Sequence, residues 1–199
     1  MENMQKNIKV IWWIKSLLAS YIVTGILLLV LTFFMYKFEL NEKDNSGRFN
    51  IYDCNGVKAI LDYGHNIDGY RKVVSSLKEL AKGNIIGVIG IPGDRSNNDA
   101  VRIGKLSGKN LNKIIIKEDK DRRGRRCGEI AELIKNGVLQ VNKDSDLKVI
   151  LEEVEAYRTA LREAKKEATE IVFFEKRKPL LEVIEYFRKE QEENGAATA

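Results

Sequence analysis

The feature that limits the fold most is an alternation beginning near Gly47, in which short apolar runs are each followed by a polar loop and a helical pattern. FNIYD and VKAILDY flank Cys54-Asn55-Gly56, and Asn-Gly is the strongest short hairpin signal. A helix fits Asp68 to Lys82, with Val73, Val74, Leu77, Leu80 and Ala81 on one face. IIGVIG reads as a buried strand, 97–110 as a helix, and KIIIK as the next strand. Glu129 to Lys135 fits a short helix ending at Gly137, a suitable residue just past a helix end. From Asp144 to Ala164 apolar residues recur at helical spacing; EIVFFE is a last strand, and Pro179 opens a helix through Arg188. Strands alternating with helices imply a mainly parallel sheet covered on both faces, a doubly wound α/β fold.

Ahead of this lies a different composition. Residues 16–36, SLLASYIVTGILLLVLTFFMY, are 21 residues without a charge. A helix of that length covers roughly 30 Å, enough to cross the hydrocarbon core of a bilayer. Trp12, Trp13 and Tyr36 stand at its edges, where aromatic rings favour the interface. A cleaved signal sequence fits less well, because FFMYKFELNEK has no small-x-small cleavage site. The chain therefore divides into a flank (1–15), one transmembrane α-helix (16–36), a linker (37–46), an α/β domain (47–189) and a disordered tail (190–199). Lys6, Lys9 and Lys15 balance Lys37, Lys43 and Arg48, so charge leaves the orientation open.

Charged residues make up 32% of the chain, yet their signs interleave to a net charge of only +5, so no nucleic-acid partner is expected. One histidine and two distant cysteines, Cys54 and Cys127, are too few for a zinc site and suit a reducing compartment. GxxxxGK[ST] and GxGxxG after the first strand are missing, so the P-loop and dinucleotide fingerprints are absent, and no GxSxG elbow or Cys-His pair suggests a nucleophilic enzyme. Polar residues collect after the strands instead: Asp62 to Asn66, Pro92 to Arg95, and Lys117 to Arg126 with six basic and three acidic residues. Open α/β sheets bind ligands at that carboxyl edge. Read singly, Asp62 and Asn66 can simply cap a helix, Asp94 and Arg95 can form a surface ion pair, and 117–126 can be a solvated loop. Three such loops on one edge make a site.

GRFN, DYGHN, GVIGIPGDR and KIIIKEDKDRRGR occur in that order, and the span from about Gly47 to Phe187 resembles the carboxy-terminal domain of the Mur ligases, the cyanophycin synthetase branch above all. The resemblance implies a Rossmann-like domain that closes over ATP held, with Mg, by a preceding P-loop domain. In such ligases ATP phosphorylates a carboxylate, and an incoming amine attacks the acyl phosphate to form an amide. In the cyanophycin branch the incoming amino acid is arginine and the product is an Asp-Arg polymer. By motif position, Asp62, His65 and Asn66 are expected near the nucleotide. Asp94, Arg95, Lys117, Asp119, Arg122 and Arg125 are expected toward phosphate or the incoming amino acid. Magnesium ligands belong mostly to the P-loop domain, so no metal site is assigned here. Ile67 stands where the family motif has proline. The resemblance implies no turnover without a P-loop ligase domain in trans, and ATP with reduced cysteines puts the α/β domain on the cytoplasmic side of a single-pass membrane protein. The rival expectation is a membrane-anchored, non-catalytic nucleotide- or anion-binding module.

Overall fold

The computed structural model describes residues 24, 25, 28, 47–54 and 56–196. The chain divides into two compact units between Ser46 and Gly47, and the fold described here is that of the second. Its strands are β1 (Asn50–Cys54), β2 (Val57–Asp62), β3 (Ile85–Ile89), β4 (Lys113–Ile116), β5 (Asp146–Val149) and β6 (Thr169–Phe173). Its helices are α1 (Ile67–Leu80), α2 (Asn97–Asn110), α3 (Glu129–Leu139), α4 (Glu153–Glu163) and α5 (Arg177–Ala196). The six strands form one sheet in the order β1-β2-β6-β3-β4-β5. β1 and β2 are the expected antiparallel hairpin, turning at Gly56 (φ 84°), and every other pairing is parallel.

The side-chain alternation along the strands explains the two layers of helices. Ile60, Ile114, Ile116, Ile171 and Phe173 pack on one face against Tyr70, Leu77, Ile103 and Ile134 of α1, α2 and α3. Ala59, Leu61, Ile115 and Val172 pack on the other face against Tyr157, Leu161, Leu180 and Ile184 of α4 and α5. A strand buried on both faces must be apolar at nearly every position, which is why KIIIK and EIVFF read as continuous runs. Asn66 starts α1 by accepting the Gly69 N–H at 2.8 Å, and Ser96 starts α2 by accepting that of Asp99 at 3.1 Å. Ile67 is the first residue of α1, the position at which a proline would also fit.

Three element boundaries differ from the sequence expectation. The single helix expected from Asp144 to Ala164 is a strand followed by a helix: β5 pairs parallel with β4, and α4 begins only at Glu153. α3 runs on to Leu139, with Gly137 inside it rather than past its end. α5 starts at Arg177, two residues before Pro179, and continues through Ala196 into the stretch expected to be a disordered tail. Of the expected membrane-spanning run only Thr24, Gly25 and Leu28 are described, each helical, so the span itself lies outside the described residues. Among the described residues no helix is long and apolar enough to cross a membrane.

Candidate functional site

The parallel register brings the strand ends level: Asp62 pairs with Phe173, Ile89 with Ile116, and Ile116 with Val149. α1 and α2 leave the sheet on one face while α5, which follows β6, lies on the other. β6 sits between β2 and β3, so the loops after these three strands part around it. That arrangement is a topological switch point, the crevice at which open α/β sheets hold ligands. All three polar loops meet there, around a small cavity of about 30 Å³ lined by His65, Gly90, Pro92, Lys117, Asp119 and Glu175.

Asp62 is buried, and its Oδ2 accepts the Phe49 N–H at 2.8 Å. Burial pushes its carboxyl above the usual range, against the pull of the Phe49 and Gly64 amides and the Arg48 and His65 charges. Its contacts therefore shape the loop: the carboxylate ties the entry to β1 onto the end of β2. Next to it opens a cleft of about 260 Å³ lined by Arg48, Phe49, Asp62, His65, Lys72 and Ser76 among others. His65 is half-buried at its rim, with Nδ1 3.2 Å from the Tyr63 carbonyl. Its ring centroid is 5.5 Å from that of Tyr63, which lies 5.7 Å from that of Phe174. Asn66 is committed to capping α1. On the other side of the crevice the Tyr70 hydroxyl donates to Gly90 O at 2.7 Å and accepts Gly90 N–H at 3.1 Å, fixing the tip of β3. The Tyr70 ring stacks on Phe173 at 3.6 Å.

The residues expected toward phosphate or amino acid separate into committed and uncommitted groups. Lys117 is buried, 1% exposed, and its ammonium pairs with Asp119 and with Glu153 Oε2 at 2.8 Å. Burial alone would pull the Lys117 ammonium down, but the Glu153 and Asp119 carboxylates outweigh it and hold the lysine charged. Glu153 also accepts the Glu175 and Lys176 N–H groups at 2.6 and 3.1 Å, and Glu175 accepts that of Lys120 at 2.9 Å. Lys117 and Asp119 thus belong to a buried network that fastens the tips of β4, β5 and β6. Arg125 is committed too, to Gly93 O (2.6 Å), Arg95 O (2.8 Å), Asn97 Oδ1 (2.8 Å) and Glu129. Asp94 is exposed, with its Oδ1 3.8 Å from Arg95 Nε. Arg122 lines a second cleft of about 260 Å³ with Glu118, Asp119, Lys120, Glu152 and Glu153, between the ends of β4 and β5.

Sequence reasoning misses Arg48, Glu153 and Glu175. Arg48 stands before the first strand, and Glu153 falls inside a stretch whose spacing reads as helix throughout. Glu175 was within reach, since it follows the EIVFF strand at the same carboxyl edge. Among the described residues no group of three or more His, Cys, Asp or Glu is placed to hold a metal ion.

The fold and edge define a doubly wound α/β domain with a polar crevice at its switch point. Residues 47–174 match the family model described as Mur ligase, glutamate ligase domain. The chain belongs to that family, as a Mur ligase carboxy-terminal domain. Over 156 residues it is 36% identical to a cyanophycin synthetase of Geminocystis herdmanii, a match that covers 78% of this chain and 18% of the relative. The chain thus corresponds to less than a fifth of that relative's length. Among solved structures, a UDP-N-acetylmuramoyl-L-alanyl-D-glutamate–2,6-diaminopimelate ligase is similar with a TM-score of 0.59 at 16% identity, covering 73% of this chain and 32% of that one. A MurF ligase from Thermotoga maritima, solved in complex with ADP, is similar with a TM-score of 0.52 at 18% identity, covering 73% and 32%. At such identities the likeness is one of fold.

Proposed function

We propose that the α/β domain is the nucleotide-closing domain of an ATP-dependent amide ligase and works together with a P-loop domain. The observation that carries this reading is the convergence of the DYGHN, GDR and 117–126 loops on the switch point, in a chain of the Mur ligase family. The cleft beside Asp62 and His65, about 260 Å³, falls just under the roughly 300–1,000 Å³ of a complete small-molecule site. One wall of a shared site has that character. In this reading ATP phosphorylates a carboxylate and the amine of an arginine attacks the acyl phosphate, giving the amide, ADP and phosphate. The chain's own share is positioning and electrostatics, the main contributions a protein makes to phosphoryl transfer. Asp62 holds the cleft open through Phe49 N–H and Gly64, His65 meets the nucleotide at its rim, and Arg95, only loosely paired with Asp94, and Arg122 supply cations for the phosphates. Lys117, Asp119 and Arg125 act from behind, through the loops they hold.

The test is arginine-dependent ADP release by the full chain mixed with the separately expressed P-loop part of a cyanophycin synthetase, with an Asp-Arg primer. Release is expected from the mixture and from neither part alone, with a loss on the order of tenfold or more for His65→Ala, the scale of a misplaced reacting group. No release from a mixture in which both parts are folded would leave the non-catalytic nucleotide- or anion-binding module as the better reading.

A further inference from the structure

We infer that Arg125 is a positioning residue, setting the 93–97 backbone from which the Arg95 guanidinium meets a phosphate-bearing ligand. Arg122-Arg123-Gly124-Arg125 is a tight turn in which Arg125 N–H donates to Arg122 O at 3.0 Å, with φ 51° at Arg123 and 83° at Gly124. Positive φ at both central residues is the type I′ geometry, which sends the chain back on itself and returns Arg125 toward the loop after β3. The two loops touch there: a Cβ at Gly93 would lie 2.1 Å from Arg122 O, so only glycine admits the approach.

Across this contact Arg125 uses its fork as a brace. Nε donates to Gly93 O, one terminal nitrogen to Arg95 O, and the other to Asn97 Oδ1 and Glu129. Two of these acceptors are the carbonyls on either side of Asp94, which fixes both ends of the Gly93–Arg95 backbone. A guanidinium can do this because its donors lie in one rigid plane. Arg95 is the opposite case. Its Nε is buried without a hydrogen-bond partner, and its nearest carboxylate is the half-exposed Asp94 at 3.8 Å. Several neighbouring cations are engaged, Lys117 with Asp119 and Glu153, Arg123 with Asp121, and Arg126 with Glu132, whereas Arg122 lines the cleft between the ends of β4 and β5. A planar cation whose one ion pair, to Asp94, is long and half exposed, carried on a braced backbone, suits bidentate recognition of a phosphate. The ligand class rests on the nucleotide reading proposed above; the brace itself does not.

The experiment uses the full chain with Arg125→Met, Arg125→Lys, Arg95→Met and the double variant Arg95→Met/Arg125→Met. Amide exchange of 93–97 without ligand is expected to rise on the order of tenfold in Arg125→Met and less in Arg125→Lys, with the β3 and β4 amides unchanged. Unchanged exchange at 93–97 overturns the inference, and so does a uniform rise across the sheet in both variants. ADP affinity measured by calorimetry is expected to fall about tenfold in each single Met variant, the scale of a lost charged hydrogen bond, and no further in the double variant. An additive, roughly hundredfold loss in the double variant would show Arg125 touching the ligand itself and sink the positioning role. Wild-type protein that takes up no ADP defeats the nucleotide reading, and the exchange result alone then decides the brace.

Discussion

Glu170 lies in the middle of the sheet on β6, wholly buried, with both carboxyl oxygens lacking a hydrogen-bond partner. Burial raises its pKa well above the usual carboxylate value, and the buried Tyr157 and Cys54 feel its charge. A raised folded-state pKa means that the folded chain binds more protons than the unfolded one above about pH 4.5, the unfolded value. Its contribution to stability is complete below that pH and declines as pH rises through the folded value, by about 1.4 kcal/mol per pH unit while the difference lasts. Glu170→Gln removes the titration and is expected to flatten this slope, gaining more in melting temperature at pH 8 than at pH 4.5. Asp62 and Asp119, both raised by burial first, act in the same direction, so a weaker slope persists in the variant. Equal melting shifts for Glu170→Gln at the two pH values would show that Glu170 is not protonated in the fold. At this scale the sequence names residue types better than their uses. Asn66 is legible as a cap, because a cap needs only the residues next to it. Lys117 and Arg125 look like ligand-binding cations in the sequence, since only Asp119 and Glu129 engage them locally and the other partners, Glu153 and the Gly93 and Arg95 carbonyls, are distant along the chain.

Among the helices, α2 and α3 approach most closely, through two glycines. A Cβ at Gly104 would stand 2.1 Å from Ile134 O, and one at Gly137 would stand 2.2 Å from Val101 O. These obstacles are backbone carbonyls, which cannot swing aside as a side-chain end can. Gly104→Ala gains up to about 1 kcal/mol of helix propensity but must separate the helices, an overpacking cost of about 1–3 kcal/mol. The second effect wins where backbone meets backbone, so differential scanning calorimetry should show a melting temperature lower by several degrees. An unchanged or higher midpoint would mean that the helices do not cross at this distance. The same crossing explains why Gly137 misleads as a stop signal: it sits inside α3 because α2 passes over it. β5 misleads for a related reason. DLKV offers one half-buried apolar residue, Leu147, and stands at the sheet edge, so its alternation is too short to compete with the helical spacing that continues through α4. β3 and β4 are legible because burial on both faces makes each a nearly continuous apolar run, and β6 because the apolar residues Ile171 to Phe174 follow the buried Glu170.

For the molecule as a whole, the alternation of strands and helices is enough to read a doubly wound sheet, but not the strand order. The last strand entering between β2 and β3 is a long-range event, and it creates the switch point at which the loops converge. The candidate site is thus legible as three loops on one edge, while the crevice they share depends on where β6 is placed. The same topology gives a prediction for the 47–199 unit. Both core clusters among the described residues are drawn from Ala59 to Phe187 or their near neighbours in that unit, and the sheet is covered on each face by helices of the same unit. β6, the last strand, pairs with both β2 and β3, so the sheet cannot close until nearly all of the unit is present. The polypeptide 47–199 is therefore expected to fold alone and to unfold in one cooperative transition, with the urea dependence of an ordinary domain, about 1–3 kcal/mol per molar. Truncation at 168, which removes β6 and α5, is expected to abolish that transition, because β2 and β3 then have no strand between them. Coincident circular dichroism and tryptophan-free fluorescence (tyrosine) curves for 47–199 would support a single unit. Separate midpoints, or a 47–168 piece that still unfolds cooperatively, would show that the β3-β4-β5 half is stable by itself and that β6 only docks onto it. The crevice would then form late, by docking, and the loops around it would exchange with solvent faster than the sheet that carries them.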